Sequence, residues 1–233
     1  MAARAGATAI GTLAVLAFGL GLVWLAAPRT VAHATMAMDH AVMDALARGE
    51  EIPPARALAA ISTRERALAW LDLADGWNDI GALYLMLARR PGLDGGARDA
   101  LLDRSIRSTA RGLALAPARP FAWLQLAQAR RARDPAAPAG FATALRLSYL
   151  TAPMEPAVVR QRARLGFAAR TALSKEDARR IAGDVRLWAA HDPKTLAEWA
   201  RPQFALPWVR QALSGRAPLE GDFLDAYLRL PAR

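Results

Sequence analysis

Two histidines and two methionines near residue 40 are the side chains of this sequence whose types and spacing best suit metal chemistry. His33, Met36, His40 and Met43 are separated by three, four and three residues. On an α-helix that spacing places all four along one stripe. Imidazole and thioether together suit Cu(I), so one interpretation is a copper site. The other is a packing seam with methionine as filler, which we favour because no second group of His and Met completes a cage. We therefore predict no bound cofactor.

Arginines at helical spacing form a second candidate site, for an anionic partner. The six residues are Arg104, Arg107, Arg111, Arg130, Arg131 and Arg133. Guanidinium groups bind carboxylate and phosphate as a planar fork, and the chain has a net charge of +10 with only two lysines. Such a strip favours an acidic protein, an anionic glycan or lipid headgroups. The alternative is a solvated face that Asp99 and Asp103 partly neutralise.

No group of residues in the sequence indicates an enzyme. The absence of cysteine excludes disulfides, thiolate metal sites and cysteine nucleophiles. His191 and Asp192 are adjacent and cannot generally form a base with its orienting carboxylate, whereas Asp192 before Pro193 is typical of a helix N-cap. No aromatic-interleaved motif indicates nucleic acid as a partner. We expect a binding protein without catalytic activity.

Residues 5–27 contain no charged side chain. A helix of about 20 residues crosses the hydrocarbon core of a bilayer, so this segment predicts a transmembrane helix. A cleaved signal peptide is the alternative, because Ala32-His33-Ala34 offers a cleavage pattern, but such peptides have apolar regions of only about 7 to 15 residues. With a short tail before the span, we predict a single-pass protein of a bacterial inner membrane whose C-terminal domain is periplasmic.

The remainder of the chain predicts an all-α protein. Apolar residues recur at helical spacing, β-branched residues are few, and prolines fall between the periodic segments. Ser62-x-x-Glu65 has the capping-box pattern, and Ser174 precedes two acidic residues, so both indicate helix starts. The predicted helices are 32–49, 63–75, 77–90, 96–115, 119–132, 139–151, 155–172, 174–191, 193–200, 206–214 and 218–229.

A short pattern recurs along these helices. Ala116-Pro117-x-x-Pro120 returns 36 residues later as Ala152-Pro153-x-x-Pro156. The second pattern consists of Trp77-x-x-Ile80-Gly81-x-x-Tyr84, Trp123-x-x-Leu126-Ala127-x-x-Arg130 and Val159-x-x-Arg162-Ala163-x-x-Gly166. These copies resemble the first helix of the tetratricopeptide repeat, whose unit of about 34 residues opens W-x-x-L-G-x-x-Y. Two features depart from that family: 46 residues separate the first two tryptophans, and Arg162 stands at a normally apolar position.

The resemblance covers residues 75–172 and implies antiparallel helix pairs stacked into a solenoid, with an irregular helical bundle as the alternative. The expected organisation is an anchor at 1–28, membrane-proximal helices at 29–74, tetratricopeptide-like repeats at 75–172 and capping helices at 173–233. It implies a scaffold or adaptor for other proteins of a bacterial envelope complex, for example in surface-polysaccharide synthesis or export. The alternative function is a periplasmic copper- or small-molecule-binding protein.

Overall fold

The computed structural model describes residues 2–231, with the side chains of residue 13 and of residues 15–231. Within that part of the chain the backbone forms twelve α-helices and no β-strand, which confirms the all-α prediction. The helices are α1 Ala2–Ala37, α2 His40–Arg48, α3 Pro54–Leu68, α4 Ala74–Ala88, α5 Gly95–Leu115, α6 Pro120–Arg133, α7 Pro138–Thr151, α8 Pro156–Ala168, α9 Lys175–His191, α10 Pro193–Ala200, α11 Leu206–Leu213 and α12 Ala217–Leu228.

Local sequence signals explain most helix starts. Proline occupies the first or second position of α3, α6, α7, α8, α10, α11 and α12. It is tolerated there because the missing N–H would have no partner within the helix. The Ser174 hydroxyl accepts a hydrogen bond from the Asp177 N–H at 3.1 Å, and the Asp192 carboxylate accepts one from the Thr195 N–H at 3.1 Å. The N-cap predicted at Asp192 and the helix start predicted at Ser174 are therefore confirmed.

Three predicted helix boundaries near the N-terminus are wrong. The helix predicted to end at residue 75 already ends at Leu68. The capping box at Ser62 does not start a helix, because α3 begins eight residues earlier at Pro54. The helix predicted over 32–49 is divided by a turn at Met38 and Asp39. The Asp39 carboxylate makes no capping bond to α2 and is bound instead by Arg64 of α3. A tertiary ion pair therefore determines this boundary.

The first helix joins the apolar N-terminal segment to the rest of the protein without a break. It has 36 residues, which corresponds to about 54 Å. Its segment Val15–Ala37 is long and apolar enough to cross a membrane. The large apolar side chains between residues 13 and 25 are exposed, whereas Ala32 is fully buried. Since α1 packs on α3, its last turns belong to the folded domain. The side chains of residues 5–12, the first part of the predicted span, lie outside the described residues.

Helices α4 and α5 pack antiparallel and unusually close together. Gly112 near the end of α5 lies against Asn78 near the start of α4, and Arg104 contacts Tyr84 at the other end. A Cβ atom on Gly81 would lie 2.2 Å from the hydroxyl oxygen of Thr109. Only glycine permits this approach, so Gly81 fixes the distance between the two helices.

The antiparallel arrangement continues along the chain. Arg133 at the end of α6 binds Asp103 in the first half of α5 at 3.0 Å. The Ser148 hydroxyl of α7 donates to the Pro120 carbonyl at the start of α6 at 2.9 Å, and Gly166 of α8 lies against Ile181 of α9. Helices α3 to α9 thus alternate in direction, which brings their connections to two opposite edges.

The apolar core is a row of clusters and has no single centre. One cluster joins α2, α3 and α4 around Leu83, a small one joins α4, α5 and α6 around Leu102, and a third extends from α5 to α9 around Phe141. The last surrounds Trp188 and joins α8 to α12, and Trp208 packs against both of the last two. Helices α4 to α8 are therefore buried mainly against their neighbours along the row, whereas α10, α11 and α12 all pack around α9.

Arg162, the departure from the repeat pattern, is fully buried in α8. Its guanidinium binds the buried Asp184 carboxylate of α9 with bonds of 2.8 and 2.9 Å. It also donates to the carbonyl oxygens of Ala152 at 2.7 Å and Pro153 at 3.2 Å. The arginine therefore ties the α7–α8 connection to α9, a role that an apolar residue could not fill.

Candidate functional site

Three of the six predicted arginines surround one hollow between α4 and α5. Arg104, Arg107 and Arg111 of α5 line a cavity of about 470 Å³. Trp77 and Tyr84 of α4 lie on its other side. We call this site the arginine hollow. Its three arginines lie within two helical turns, so their charges act on the same small volume.

The aromatic side chains support two of these arginines. The Arg111 guanidinium carbon lies 4.4 Å from the centre of the Trp77 ring, and the Arg104 carbon lies 5.6 Å from the centre of the Tyr84 ring. Stacking on an aromatic face holds a guanidinium in place without removing its charge. Arg104 also donates to the Tyr84 hydroxyl at 3.5 Å. The hollow therefore presents guanidinium groups that are partly oriented before any ligand arrives.

Two acidic residues moderate the charge of the hollow. Asp72 binds Arg111 at 3.0 Å and also accepts from the Trp77 indole N–H. The Trp77 hydrogen bond and the Arg111 guanidinium lower the pKa of Asp72, so it is ionised at neutral pH. Glu65 lines the hollow as well. Arg107 has no ion-pair partner among the described residues, so the hollow retains a net positive charge.

The other three predicted arginines do not join this site. Arg133 binds Asp99 at 3.2 Å and Asp103 at 3.0 Å, and these carboxylates raise the pKa of Arg133. Arg130 donates to the Gly140 carbonyl at 3.1 Å. Arg131 lies over the Phe141 ring at 5.9 Å. For Arg133 the structure fits the alternative interpretation of a neutralised face.

A second concave surface lies on α4, α6 and α8, where the sequence marked no site. It surrounds a cavity of about 370 Å³ lined by Leu85, Met86 and Phe121 among others. Arg89 donates to the Gln128 side chain at 2.8 Å, and Gln128 donates to that of Gln161 at 2.5 Å. These two hydrogen bonds join side chains that are 39 and 33 positions apart in the sequence. No local motif predicts that a glutamine makes such a contact.

The predicted His and Met stripe is interrupted. The turn at Met38 and Asp39 separates His33 and Met36 on α1 from His40 and Met43 on α2. His40 lies 3.7 Å from the Asp44 carboxylate, and Met43 packs against the cluster around Leu83. Among the described residues no three His, Asp or Glu side chains converge as metal ligands. The copper interpretation stays a prediction, without the continuous helix on which it was based.

The repeat-signature residues lie at helix contacts. Ile80, Leu126 and Ala127 are buried, as are Gly81 and Tyr84. Trp77 and Trp123 are partly buried. Pro117 and Pro153 lie in the turns before α6 and α8. The Trp123 indole donates to the Pro117 carbonyl at 2.7 Å, which fixes the turn onto the helix that follows.

No family model, curated protein or solved structure matches this chain in the comparisons with known proteins. The assignment of function therefore depends on the geometry described above.

Proposed function

We propose that this protein is a membrane-anchored helical scaffold that binds an acidic segment of a partner protein in the arginine hollow. It would lie in the inner membrane of a bacterium with its domain in the periplasm, and it would bring proteins of an envelope complex together without catalysing a reaction. Machinery for surface-polysaccharide synthesis or export is one setting that suits a basic scaffold of this kind. The observation that carries the proposal is the arginine hollow, on helices joined through α3 to the long apolar helix α1.

The rigid attachment of α1 to the domain supports a role in holding a partner at a fixed position relative to the membrane. Arg64 of α3 is 2% exposed and binds two carboxylates, Asp39 beside the end of α1 and Asp79 of α4 at 2.9 Å. An arginine fork between two carboxylates allows less movement than a flexible linker. A scaffold attached in this way would hold its partner at a defined height above the bilayer.

The row of helices supports a solenoid similar to tetratricopeptide arrays. Small residues occupy the fifth position of each pattern copy, at Gly81, Ala127 and Ala163, and all three are buried. Helices α3 to α9 alternate in direction, and the clusters of the core follow one another along the chain, each joining three to five consecutive helices. Repeat arrays of this kind bury each unit against its neighbours and leave a long surface for binding.

The chemistry of the hollow supports an acidic ligand. Carboxylate groups accept paired N–H bonds from a guanidinium fork, and Arg107 has no carboxylate partner within the described chain. The aromatic rings of Trp77 and Tyr84 add apolar area beside the charges. An acidic peptide segment with apolar residues between its carboxylates would satisfy both features.

The test is purification of the tagged full-length protein from its native membranes in mild detergent, followed by mass spectrometry. We expect a defined set of envelope proteins with the wild type. The variant Arg104→Glu, Arg107→Glu and Arg111→Glu should lose at least one of them, because the charge of the hollow is reversed.

A matched control carries Arg56→Glu, Arg98→Glu and Arg179→Glu. These three arginines are exposed and have no ion-pair partner among the described residues, and the change in net charge is the same. Circular dichroism of both variants checks that they are folded. Equal loss in both variants would mean that overall charge attracts the partners, and retention of every partner by the first variant would contradict the proposed site.

A further inference from the structure

One edge of the helical row carries a concentration of exposed apolar side chains. Between residues 38 and 173, eight large apolar residues are exposed, and five of them lie where α3, α5 and α7 end and α6 and α8 begin. They are Trp70, Leu115, Phe121, Leu150 and Met154, which are 46% to 69% exposed. We call this the Trp70 edge. On the opposite edge of the same helices only Leu93 is exposed at the described connections, at 37%.

Contacts between neighbouring connections hold these residues on one edge. Asp75 at the start of α4 binds Arg119 just before α6 at 3.1 Å. The Pro120 carbonyl at the start of α6 accepts from Ser148 near the end of α7. Because the helices alternate in direction, the residues between these contacts lie along the same side of the row.

Two carboxylates of the Trp70 edge are paired with guanidinium groups, and a third caps a helix. Asp72 binds Arg111 and Asp75 binds Arg119. The Glu155 carboxylate accepts from the Ala157 N–H at the start of α8. An edge with paired charges and exposed apolar side chains resembles the composition that favours the boundary between water and lipid.

The path of the chain shows from which side α1 reaches the row. Asp39, just beyond α1, is bound by Arg64 in the middle of α3. From there α2 runs away from the Trp70 edge, because the chain just beyond α2 meets the far end of α4, where the Ile52 carbonyl accepts from Arg90 at 3.2 Å. Helices α1 and α2 do not pack side by side among the described residues, so the last turns of α1, which pack on α3, extend from Asp39 in the other direction, toward Trp70.

The distances along the two helices place Trp70 close to the lipid headgroups. Trp70 lies six residues beyond Arg64 and two beyond the end of α3, a distance of up to about 9 Å, which brings it near the level of residue 33 of α1. Residue 33 is about 9 Å beyond the end of the uncharged segment at residue 27. The headgroup layer on each side of a bilayer is roughly 5–8 Å thick, within reach of an indole side chain. Tryptophan is enriched in that layer.

We propose that the Trp70 edge lies on the membrane surface, with Trp70, Leu115 and Phe121 among the lipid headgroups. This inference rests on the proposed membrane anchor, since α1 brings the edge to the bilayer. The helical row then lies along the membrane and does not project from it. Arg111 of the arginine hollow adjoins this edge. The partner segment that binds in the hollow would therefore lie close to the same membrane.

The absence of cysteine allows a direct test with single-cysteine variants of the full-length protein. The labelled positions are Trp70→Cys and Phe121→Cys on the Trp70 edge, Leu93→Cys on the opposite edge, and Leu20→Cys within the apolar part of α1. Each variant carries one environment-sensitive nitrobenzoxadiazole label and is reconstituted into liposomes of phosphatidylethanolamine and phosphatidylglycerol. A second set of liposomes contains lipid with a nitroxide on the headgroup.

We expect the labels at residues 70 and 121 to emit at shorter wavelength than the label at residue 93 and to be quenched by the headgroup nitroxide. The label at residue 20 reports whether α1 is inserted. If it senses lipid while residues 70 and 121 behave like residue 93, the inference is overturned and the anchor stands. If residue 20 also senses only water, the proposed anchor fails and the inference fails with it.

Discussion

Asp184 shows how a single buried residue makes stability depend on pH. Burial raises the pKa of Asp184 to about 6, and the Arg162 guanidinium offsets only part of that effect. In the unfolded chain the same carboxyl titrates near 3.8. Between those two values the folded protein binds a proton that the unfolded chain does not. The contribution of Asp184 to folding is therefore present in full below pH 3.8 and is lost as the pH rises through 6.

We predict that the free energy of unfolding of the wild type falls, relative to that of Asp184→Asn, as the pH rises from 4 to 6. The expected difference over this range is on the order of 2 kcal/mol, because one pKa unit corresponds to about 1.4 kcal/mol and the titration is incomplete at both ends of the range. Urea denaturation of both proteins in the same detergent, at several pH values in this range, measures it. Parallel pH profiles would show that Asp184 does not titrate in that interval.

Gly81 is the residue on which the close packing of α4 and α5 depends. A methyl group there would meet the Thr109 and Gln125 side chains at 2.2 and 2.7 Å, and the Ser105 carbonyl at 3.1 Å. We expect Gly81→Ala to lower the free energy of unfolding by about 1–3 kcal/mol. Thermal or urea denaturation measures the change.

The matched control for Gly81 is Gly183→Ala in the middle of α9. The nearest atom to a new Cβ there is the Tyr149 hydroxyl oxygen at 3.8 Å, an ordinary contact. Alanine should be neutral at this site or stabilise the helix by up to about 1 kcal/mol. If the two substitutions have the same effect, the close approach at Gly81 does not determine the spacing of the helices.

At the scale of elements, Arg64 joins α1, α3 and α4. Its replacement by Leu would leave two carboxylates, Asp39 and Asp79, without their shared cation. Burial already raises the pKa of Asp79. We predict a local loss of about 3 kcal/mol, which would speed amide hydrogen exchange at residues 39–42 on the order of 100-fold. Exchange followed by mass spectrometry of the full-length protein measures this.

The control for Arg64 is Arg66→Leu on the same helix. Arg66 is exposed and bonds only to the Ser62 and Thr63 hydroxyls among the described residues. Exchange at residues 39–42 should not change in this variant. A similar increase in the exchange rate in both variants would show that each substitution only destabilises α3. It would contradict a specific role of Arg64 in joining the three helices.

The sequence predicted elements best where local chemistry determines them. Pro120, Pro138 and Pro156 begin helices at the expected places because their ring geometry suits a first helical turn. The capping box at Ser62 failed because the Pro53-Pro54 pair had already begun the helix. The break at Asp39 was missed because Arg64 lies 25 residues away, and no local pattern reveals such a partner.

Only part of the candidate site could be predicted, because the rest depends on contacts between residues that are far apart in the sequence. The spacing of Arg104, Arg107 and Arg111 indicated one helix face, which the structure contains. Their aromatic support from Trp77 and Tyr84 depends on the pairing of α4 with α5. The neutralisation of Arg133 by Asp103 requires a contact across 30 positions, which helical periodicity cannot specify.

At the scale of the whole molecule, the core is a row that begins at the helix carrying the apolar segment. The clusters succeed one another along the chain from α2 to α12. A partner bound beside one cluster would therefore contact only the few helices that form it. For the proposed scaffold, this arrangement provides a long surface on which partners can be held. The proposed function therefore depends on whether a partner occupies the arginine hollow at the membrane.

The most direct measurement is photocrosslinking in living cells from one position in the hollow. A benzoylphenylalanine residue replaces Arg107 in one strain and Arg98 in another. Arg98 is exposed on the same helix, about 180° away around its axis. We predict that illumination joins position 107, and not position 98, to a discrete envelope protein with an acidic segment. The absence of any adduct at position 107, or the same adducts at both positions, would contradict the proposed function.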